Sequence, residues 1–455
     1  MSKIDKLCNQ NTKYKLLIIL IFNLIWIDIS IANEDPIPGP RNCFWSRGPA
    51  SADPYLNLAY PDANVFYWAA VFTIPNDSEL NIEGNFPYSR YMSFISYDEK
   101  GRPIESLADY LINSESVNPF IPGNKRYESE RGYKVTVLNE VPKVKRKVGE
   151  MILIDSENKL HAPSYGNGQQ AIVYRIYLPD SEKEPDGGVQ LPTPVLTLSN
   201  GDQYRGEAAC DFLNSSQPLT VSLGALGIPP GQYRKLITQT DKPETWPAQN
   251  PPKWFIQLDR QSLIGMYTGE IDPNAPRSEG GFYPNLDNHY IRTIINRKHG
   301  KVLIIRGKAP AVPQTVEGNE LMTSGELRYW SVCSNQSFVN TRVNDCLYDE
   351  EIPLASDGTY TIAVSREEDR PRNAIKECGF AWLPMAIDGD GMFDEDVTIV
   401  QFRHMLADKS FKNSIQSVFL QKELESTMGD YMPKSRYLMT NQVEIIFPCL
   451  LSNND

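Results

Sequence analysis

Apolar and polar positions alternate along much of the chain, in short runs rich in β-branched and aromatic residues. Residues two apart on a strand share a face, so such runs predict strands with one buried side. In the first half they cover residues 64–73 (NVFYWAAVFT), 90–97 (RYMSFISY), 133–138, 171–178 (AIVYRIYL) and 194–198. In the second half they cover 254–258, 301–306 (KVLIIR), 326–333 (ELRYWSVC), 359–365, 379–383, 397–404 and 443–448. Polar connections carrying many of the 34 Pro and 29 Gly separate these runs, as turn-rich β folds require. Helical spacing is rare. Residues 104–112 form a short candidate, and residues 411–428 a better one, with Phe411, Ile415, Phe419 and Leu424 on roughly one face. No repeat with a fixed period of tens of residues is visible. The pattern predicts a mostly β protein built of two β-sandwich, jelly-roll-like domains with few helices, one of them near the C-terminus.

The Pro-rich, strand-poor stretch 229–253 predicts where the chain divides. Residues 33–240 are then an N-terminal sandwich, 241–253 a linker, and 254–455 a C-terminal sandwich carrying the helical segment 411–428. The start of the chain has a different pattern. Lys3, Lys6, Lys13 and Lys15 precede a short apolar run, LLIILIFNLIWI at 16–27, and then Ser30 and Ala32. That order predicts a secretory signal peptide over residues 1–32. The run is shorter than the roughly 20 apolar residues of a spanning helix. The expected destination is the periplasm or the exterior, with no stable membrane insertion after cleavage.

Charge changes the list of partners. Removing residues 1–32 takes four Lys and two Asp from totals of 45 Lys+Arg and 57 Asp+Glu, which leaves a net charge of −14. This argues against nucleic acid and anionic membrane surfaces as partners. Cys8 leaves with the leader, and Cys43, Cys210, Cys333, Cys346, Cys378 and Cys449 remain. An even number in an exported chain predicts disulfides, with many connectivities open. Cys333 and Cys346 flank a short polar segment and are the easiest pair to close. Cys43 with Cys210 and Cys378 with Cys449 are the remaining guess. Structural zinc is the weaker reading, because the chain has no C-x-x-C pair and four His in all.

No nucleophile elbow, zinc-protease pattern, Walker loop or dinucleotide glycine pattern occurs, so no cofactor is expected. Asp388, Asp390 and Asp394, in the loop DGDGMFDED, are weak candidates for a metal, but Met392 stands where a third oxygen ligand should be. A recurrent arginine on strand faces is more informative. Arg90, Arg175, Arg306, Arg328 and Arg403 each sit in a strand run whose other side chains are largely apolar or aromatic. A guanidinium there must find carboxylates, carbonyls or a bound anion. Arg90, Arg175, Arg306, Arg328, Trp330 and His289 are therefore the candidate lining of a pocket between the domains, for a small anionic or polyhydroxylated ligand. Asp287 and His289 are weak candidates for an acid–base pair of a hydrolase or lyase. A structural or host-interaction role is the third possibility. His404 shares a face with Val400 and Phe402 and reads as a core histidine.

Several blocks also resemble a known group. They are GNFPYSRYMSFISYD at 84–98, SVNPF at 116–120, VYRIYLPD at 173–180, DRPRNA at 369–374 and CGFAWLP at 378–384. In this order the blocks resemble a group of uncharacterised exported bacterial proteins. More distantly, the chain is similar to the tandem domains of unknown function twelve fifty-four and twelve fourteen. The RYMSFISYD run is similar to the first domain's strand, and GTYTI at 358–362 followed by AWLP at 381–384 to the second's strand and turn. Phe380-Ala381 precede Trp382 where the pattern has Asn. The resemblance implies two β-sandwich units and no agreed activity.

Overall fold

A computed structural model describes residues 39–449, apart from 54, 144–156, 182, 219–226, 279–282 and the side chains of 260 and 261. The expected leader at 1–32 lies outside the described residues. The alternating runs of the first half form ten strands: β1 (Arg47–Ala50), β2 (Val65–Phe72), β3 (Glu79–Asn85), β4 (Ser89–Tyr97), β5 (Pro103–Ala108), β6 (Gly132–Leu138), β7 (Lys159–His161), β8 (Gln170–Pro179), β9 (Thr193–Thr197) and β10 (Gln203–Arg205). They make two sheets, ordered β1-β2-β8-β4-β5 and β10-β9-β3-β6-β7. Their facing sides bury Trp45, Trp68, Phe94 and Tyr174 from the first sheet's side against Leu80, Ile82 and Val135 from the second. Each such fully buried large side chain contributes roughly 1.5–3 kcal/mol.

The second half repeats this architecture. Its strands are β11 (Phe255–Ile256), β12 (Asn288–Asn296), β13 (Val302–Lys308), β14 (Tyr329–Asn335), β15 (Val343–Tyr348), β16 (Thr359–Ser365), β17 (Ala381–Pro384), β18 (Val397–Met405) and β19 (Lys434–Leu438). The sheet orders are β11-β12-β18-β14-β15 and β17-β16-β13-β19. Subtracting ten from each strand number reproduces the first sandwich, without a counterpart for β10. The parallel pairs match as well, β6 with β7 and β16 with β17. So do details that a shared fold alone does not require. Tyr133 faces Gly84 in the first sandwich and Tyr360 faces Gly307 in the second. A Cβ on either glycine would lie 2.8 or 2.6 Å from that tyrosine's hydroxyl. Leu178 and Leu406, which end β8 and sit just past β18, both take φ near +50°, at 49° and 46°, an uncommon conformation for leucine. The duplication that no fixed period reveals in the sequence is present in three dimensions.

Three expectations about local structure are corrected. Residues 104–112 are not helical: they supply most of β5 and then a 3-10 turn (Asp109–Leu111). The strand wins because β5 completes the sheet along β4, a tertiary pairing that overrides local spacing. Residues 411–428 form no single helix. Two 3-10 turns, Ile415–Ser417 and Gln421–Glu423, precede a helix of five residues, Leu424–Met428. Phe419, expected on the buried face, is 62% exposed. Residues 443–448 are not a strand: Thr440–Ile446 is a helix, which buries Val443 on the outer apolar cluster of the second sandwich. Among the described residues, the remaining α-helices are Glu207–Cys210, Pro230–Ile237 and Arg260–Thr268.

Between the two sets of strands, Tyr233 of the helix Pro230–Ile237 inserts into the second sandwich's core and donates to Asp390. Residues 39–449 belong to one compact unit. Three disulfides close, Cys43–Cys210, Cys333–Cys346 and Cys378–Cys449. Among the described residues, no helix is long and apolar enough to cross a membrane.

Candidate functional site

The sheets β1-β2-β8-β4-β5 and β11-β12-β18-β14-β15 turn their outer faces toward each other, and side chains from both share one buried cluster: Val65, Tyr91 and Tyr177 with Tyr329, Met405 and Leu406. Equivalent strands present equivalent residues there. β4 carries Arg90-Tyr91-Met92-Ser93-Phe94-Ile95-Ser96, and β14 with the residue before it carries Arg328-Tyr329-Trp330-Ser331-Val332-Cys333-Ser334. Both follow the pattern R-Y-x-S-x-x-S.

The contacts cross between sandwiches reciprocally, as in the isologous interface of a two-fold dimer. Arg90 pairs with Asp349 at 3.1 Å and with Glu350, both just after β15. Arg328 pairs with Asp109 at 3.3 Å, just after β5. Arg90 Nη1 donates to the Arg328 carbonyl at 3.2 Å, and Arg328 Nη1 to the Arg90 carbonyl at 3.4 Å. Asp109 accepts the Met92 backbone N–H, and Asp349 accepts that of Trp330, each at 3.0 Å. Burial pushes both carboxyls up to about 6, against the opposing pull of Arg328 and Arg90 respectively. An acid whose pKa is raised in the folded state favours folding when protonated. Its contribution is complete below the ordinary value of 3.8 and lost as the pH rises through about 6. Stability from these two groups therefore falls between about pH 4 and pH 6, by up to about 1.4 kcal/mol per pH unit for each acid. Urea unfolding at pH 4, 5 and 6 should show a shallower dependence for Asp109→Asn than for the native chain. Equal dependence would remove Asp109 as a source.

One further pair of equivalent arginines breaks the symmetry. Arg403 on β18 ion-pairs with Asp62, just before β2. Asp62 Oδ2 also accepts from the hydroxyls of Tyr329 at 2.9 Å and Ser331 at 2.6 Å. The counterpart of Arg403 on β8 is Arg175, and that of Asp62, just before β12, is Asp287. Asp287 Oδ2 accepts from the hydroxyls of Tyr91 and Ser106. Arg175 is 2% exposed. Its Nη2 donates to the Tyr97 hydroxyl at 2.5 Å and the Tyr283 carbonyl at 2.8 Å. Among the described residues, its Nε and Nη1 have no hydrogen-bond partner, and neither has the Ser93 hydroxyl directly across from it on β4. The guanidinium lies 5.5 Å from the ring centres of both Tyr67 and Tyr97. Burial raises the Tyr67 and Tyr97 hydroxyls well above their ordinary value, so they remain neutral beside it. Arg175 thus carries a buried positive charge that no carboxylate among the described residues pairs with.

The other candidate residues are dispersed. Arg90 and Arg328 meet in the ion-pair network, with both guanidinium groups engaged. Arg306 stands exposed on β13, in the other sheet of the second sandwich. Trp330 faces the core and stacks on Phe402 at 6.2 Å. His289 is buried directly across β12–β18 from His404. His404 Nδ1 accepts the Ile415 backbone N–H, and burial lowers its pKa to about 3. The Asp388–Asp394 oxygens are taken up locally. Asp388 accepts from Gln336, Asp390 from Tyr233 and the backbone N–H groups of Met392, Phe393 and Asp394, and Asp394 from the Asp396 N–H. Asp62, Ser93, Asp109 and Asp349 were not singled out from the sequence. The paired R-Y-x-S-x-x-S runs are the signal that leads to them. Elsewhere, an open basin of about 290 Å³ lies at one end of the sheet holding β3 and β6, lined by Glu83, Asn85, Glu115, Gln190 and Arg205.

No protein-family model matches the chain, and no curated protein matches it. Among solved structures, it is similar to an uncharacterised protein from Burkholderia cenocepacia, with 12% identity and a TM-score of 0.44 over 85% of this chain and 79% of that one. It is also similar to a protein from Vibrio parahaemolyticus, with 11% identity and a TM-score of 0.36 over 82% of this chain and 89% of that one.

Proposed function

We propose that this is an exported binding protein that takes a small anion between its two sandwiches, with the Arg175 guanidinium as receptor. The three disulfides fit an oxidising compartment. The observation that carries the reading is the buried guanidinium itself, with Nε and Nη1 unpartnered and no ion pair to a carboxylate among the described residues. Leaving a charged donor buried and unpaired costs several kcal/mol, and an anion removes that cost. Tyr67 and Tyr283, which border Arg175, are half-buried, so the site lies one side chain in from solvent. A hydrolase or lyase working through Asp287 and His289 gains no such support. Both are buried, at 0% and 1% exposure, and Asp287 already accepts two hydroxyls.

The test is thermal unfolding in a low-salt zwitterionic buffer, with sodium acetate, phosphate or sulfate added at matched ionic strength. A bound anion stabilises by mass action, by about 2.7 kcal/mol at a hundredfold excess over Kd. The melting temperature should rise with at least one anion, and Arg175→Met should abolish the rise. In the absence of anion, Arg175→Met should melt no lower than the native chain, because the substitution removes an unbalanced buried charge. The same rise in both proteins would discard the proposal.

A further inference from the structure

We infer that the anionic group held at Arg175 is a single carboxylate, bound once per chain. This rests on the anion-binding reading above and narrows it. The internal duplication supplies the comparison. In the second sandwich, Arg403 on β18 stands directly across from Ser331 on β14, and the group that lies between them and the Tyr329 hydroxyl is the carboxylate of Asp62. In the first sandwich, Arg175 on β8 stands across from Ser93 on β4 in the same register. The donors that would close on a carboxylate there, equivalent to those that hold Asp62, have no partner among the described residues: Nη1 of Arg175 and the hydroxyl of Ser93. One half of the molecule fills its arginine–serine notch with its own side chain. In the other half the equivalent aspartate, Asp287, is held by the Tyr91 and Ser106 hydroxyls, which leaves the Arg175–Ser93 side to a carboxylate from outside.

Shape and charge both select this class. Arg175 Nη1 and the Ser93 hydroxyl offer one charged and one neutral donor, the same pair that Arg403 Nη1 and Ser331 offer to the Asp62 carboxylate. A single positive charge awaits balance at the site, since Arg403 is already neutralised by Asp62. A monocarboxylate restores neutrality. A phosphate or sulfate dianion would bring a second charge into surroundings formed by the rings of Tyr67 and Tyr97, where an unmatched charge is costly. Arg403 already holds a carboxylate and Arg175 holds none among the described residues, so the expected stoichiometry is one.

Titration calorimetry of the full chain with sodium acetate, sodium propionate, inorganic phosphate and sulfate, at constant ionic strength, separates the possibilities. The expected result is one acetate or propionate per chain, bound roughly tenfold or more tighter than phosphate or sulfate. Ser93→Ala should weaken the carboxylate by roughly tenfold, the effect of losing one hydrogen bond to a charged group. This small substitution leaves the remaining packing in place. Arg175→Met should abolish binding. Phosphate or sulfate binding as tightly as acetate, and lost in Arg175→Met, would overturn the carboxylate assignment and leave the anion site standing. No anion bound, or binding indifferent to Arg175→Met, would overturn both. A second acetate per chain, appearing in Asp62→Ala alone and restoring its lost stability, is the positive result expected of the occupied notch.

Discussion

Asp62→Ala should lower the unfolding free energy by about 3–5 kcal/mol, the usual cost of removing one partner of a buried ion pair. The Asp62 carboxylate is fully buried and serves the Arg403 guanidinium, the Tyr329 and Ser331 hydroxyls and the Asn64 backbone N–H. Its removal strands Arg403, which is 1% exposed. The guanidinium cannot neutralise itself by losing a proton. Because the damage is the stranded charge, Asp62→Ala combined with Arg403→Met should recover a large part of the loss. Urea denaturation of the three variants measures both effects. A loss under about 1 kcal/mol in Asp62→Ala would mean that the pair is solvated, in the range of surface salt bridges.

A comparable loss is expected at the first disulfide. Cys43–Cys210 joins residues 167 positions apart, and Cys333–Cys346 residues 13 apart. In the chain-entropy description, a cross-link stabilises by limiting the unfolded chain, which gives about 5 kcal/mol for the long loop and about 3 for the short one. Cys43→Ser with Cys210→Ser should therefore destabilise more than Cys333→Ser with Cys346→Ser. Cys333 and Cys346 face each other across β14 and β15, where the sheet already fixes their separation. Denaturant midpoints under non-reducing conditions decide the order, and the reverse order would show that local packing outweighs loop length.

Much of the fold is legible from alternation alone. NVFYWAAVF and AIVYRIYL become the adjacent strands β2 and β8, with Trp68 and Tyr174 facing the core and Tyr67 and Arg175 facing the other sandwich. The failures have physical causes. IESLA at 104–108 has the spacing of a helix and the neighbours of a strand, and the neighbours prevail. At 411–428, a turn in which the Glu423 side chain accepts the Leu420 N–H interrupts the apolar spacing before a helix can propagate. The site was half legible. Arg175 on an aromatic strand announced a charge needing a partner, but its meaning came from Arg403, its equivalent in the other half. The duplication escaped detection because the shared residues are sparse. R-Y-x-S-x-x-S survives at β4 and β14, and an aspartate precedes β2 and β12, while the sequence between has diverged. Contact partners such as Arg90 with Asp349 are distant in sequence, and only the packing of one sandwich on the other brings them together.

The most direct measurement is a crystal structure of the chain grown from mixed sodium acetate and ammonium sulfate. Anion density should lie within about 3 Å of Arg175 Nε or Nη1, the length of a charge-assisted hydrogen bond. Arg175 found turned onto the Asp287 carboxylate, as Arg403 is onto Asp62, would show that the molecule balances this charge by itself and binds no anion there.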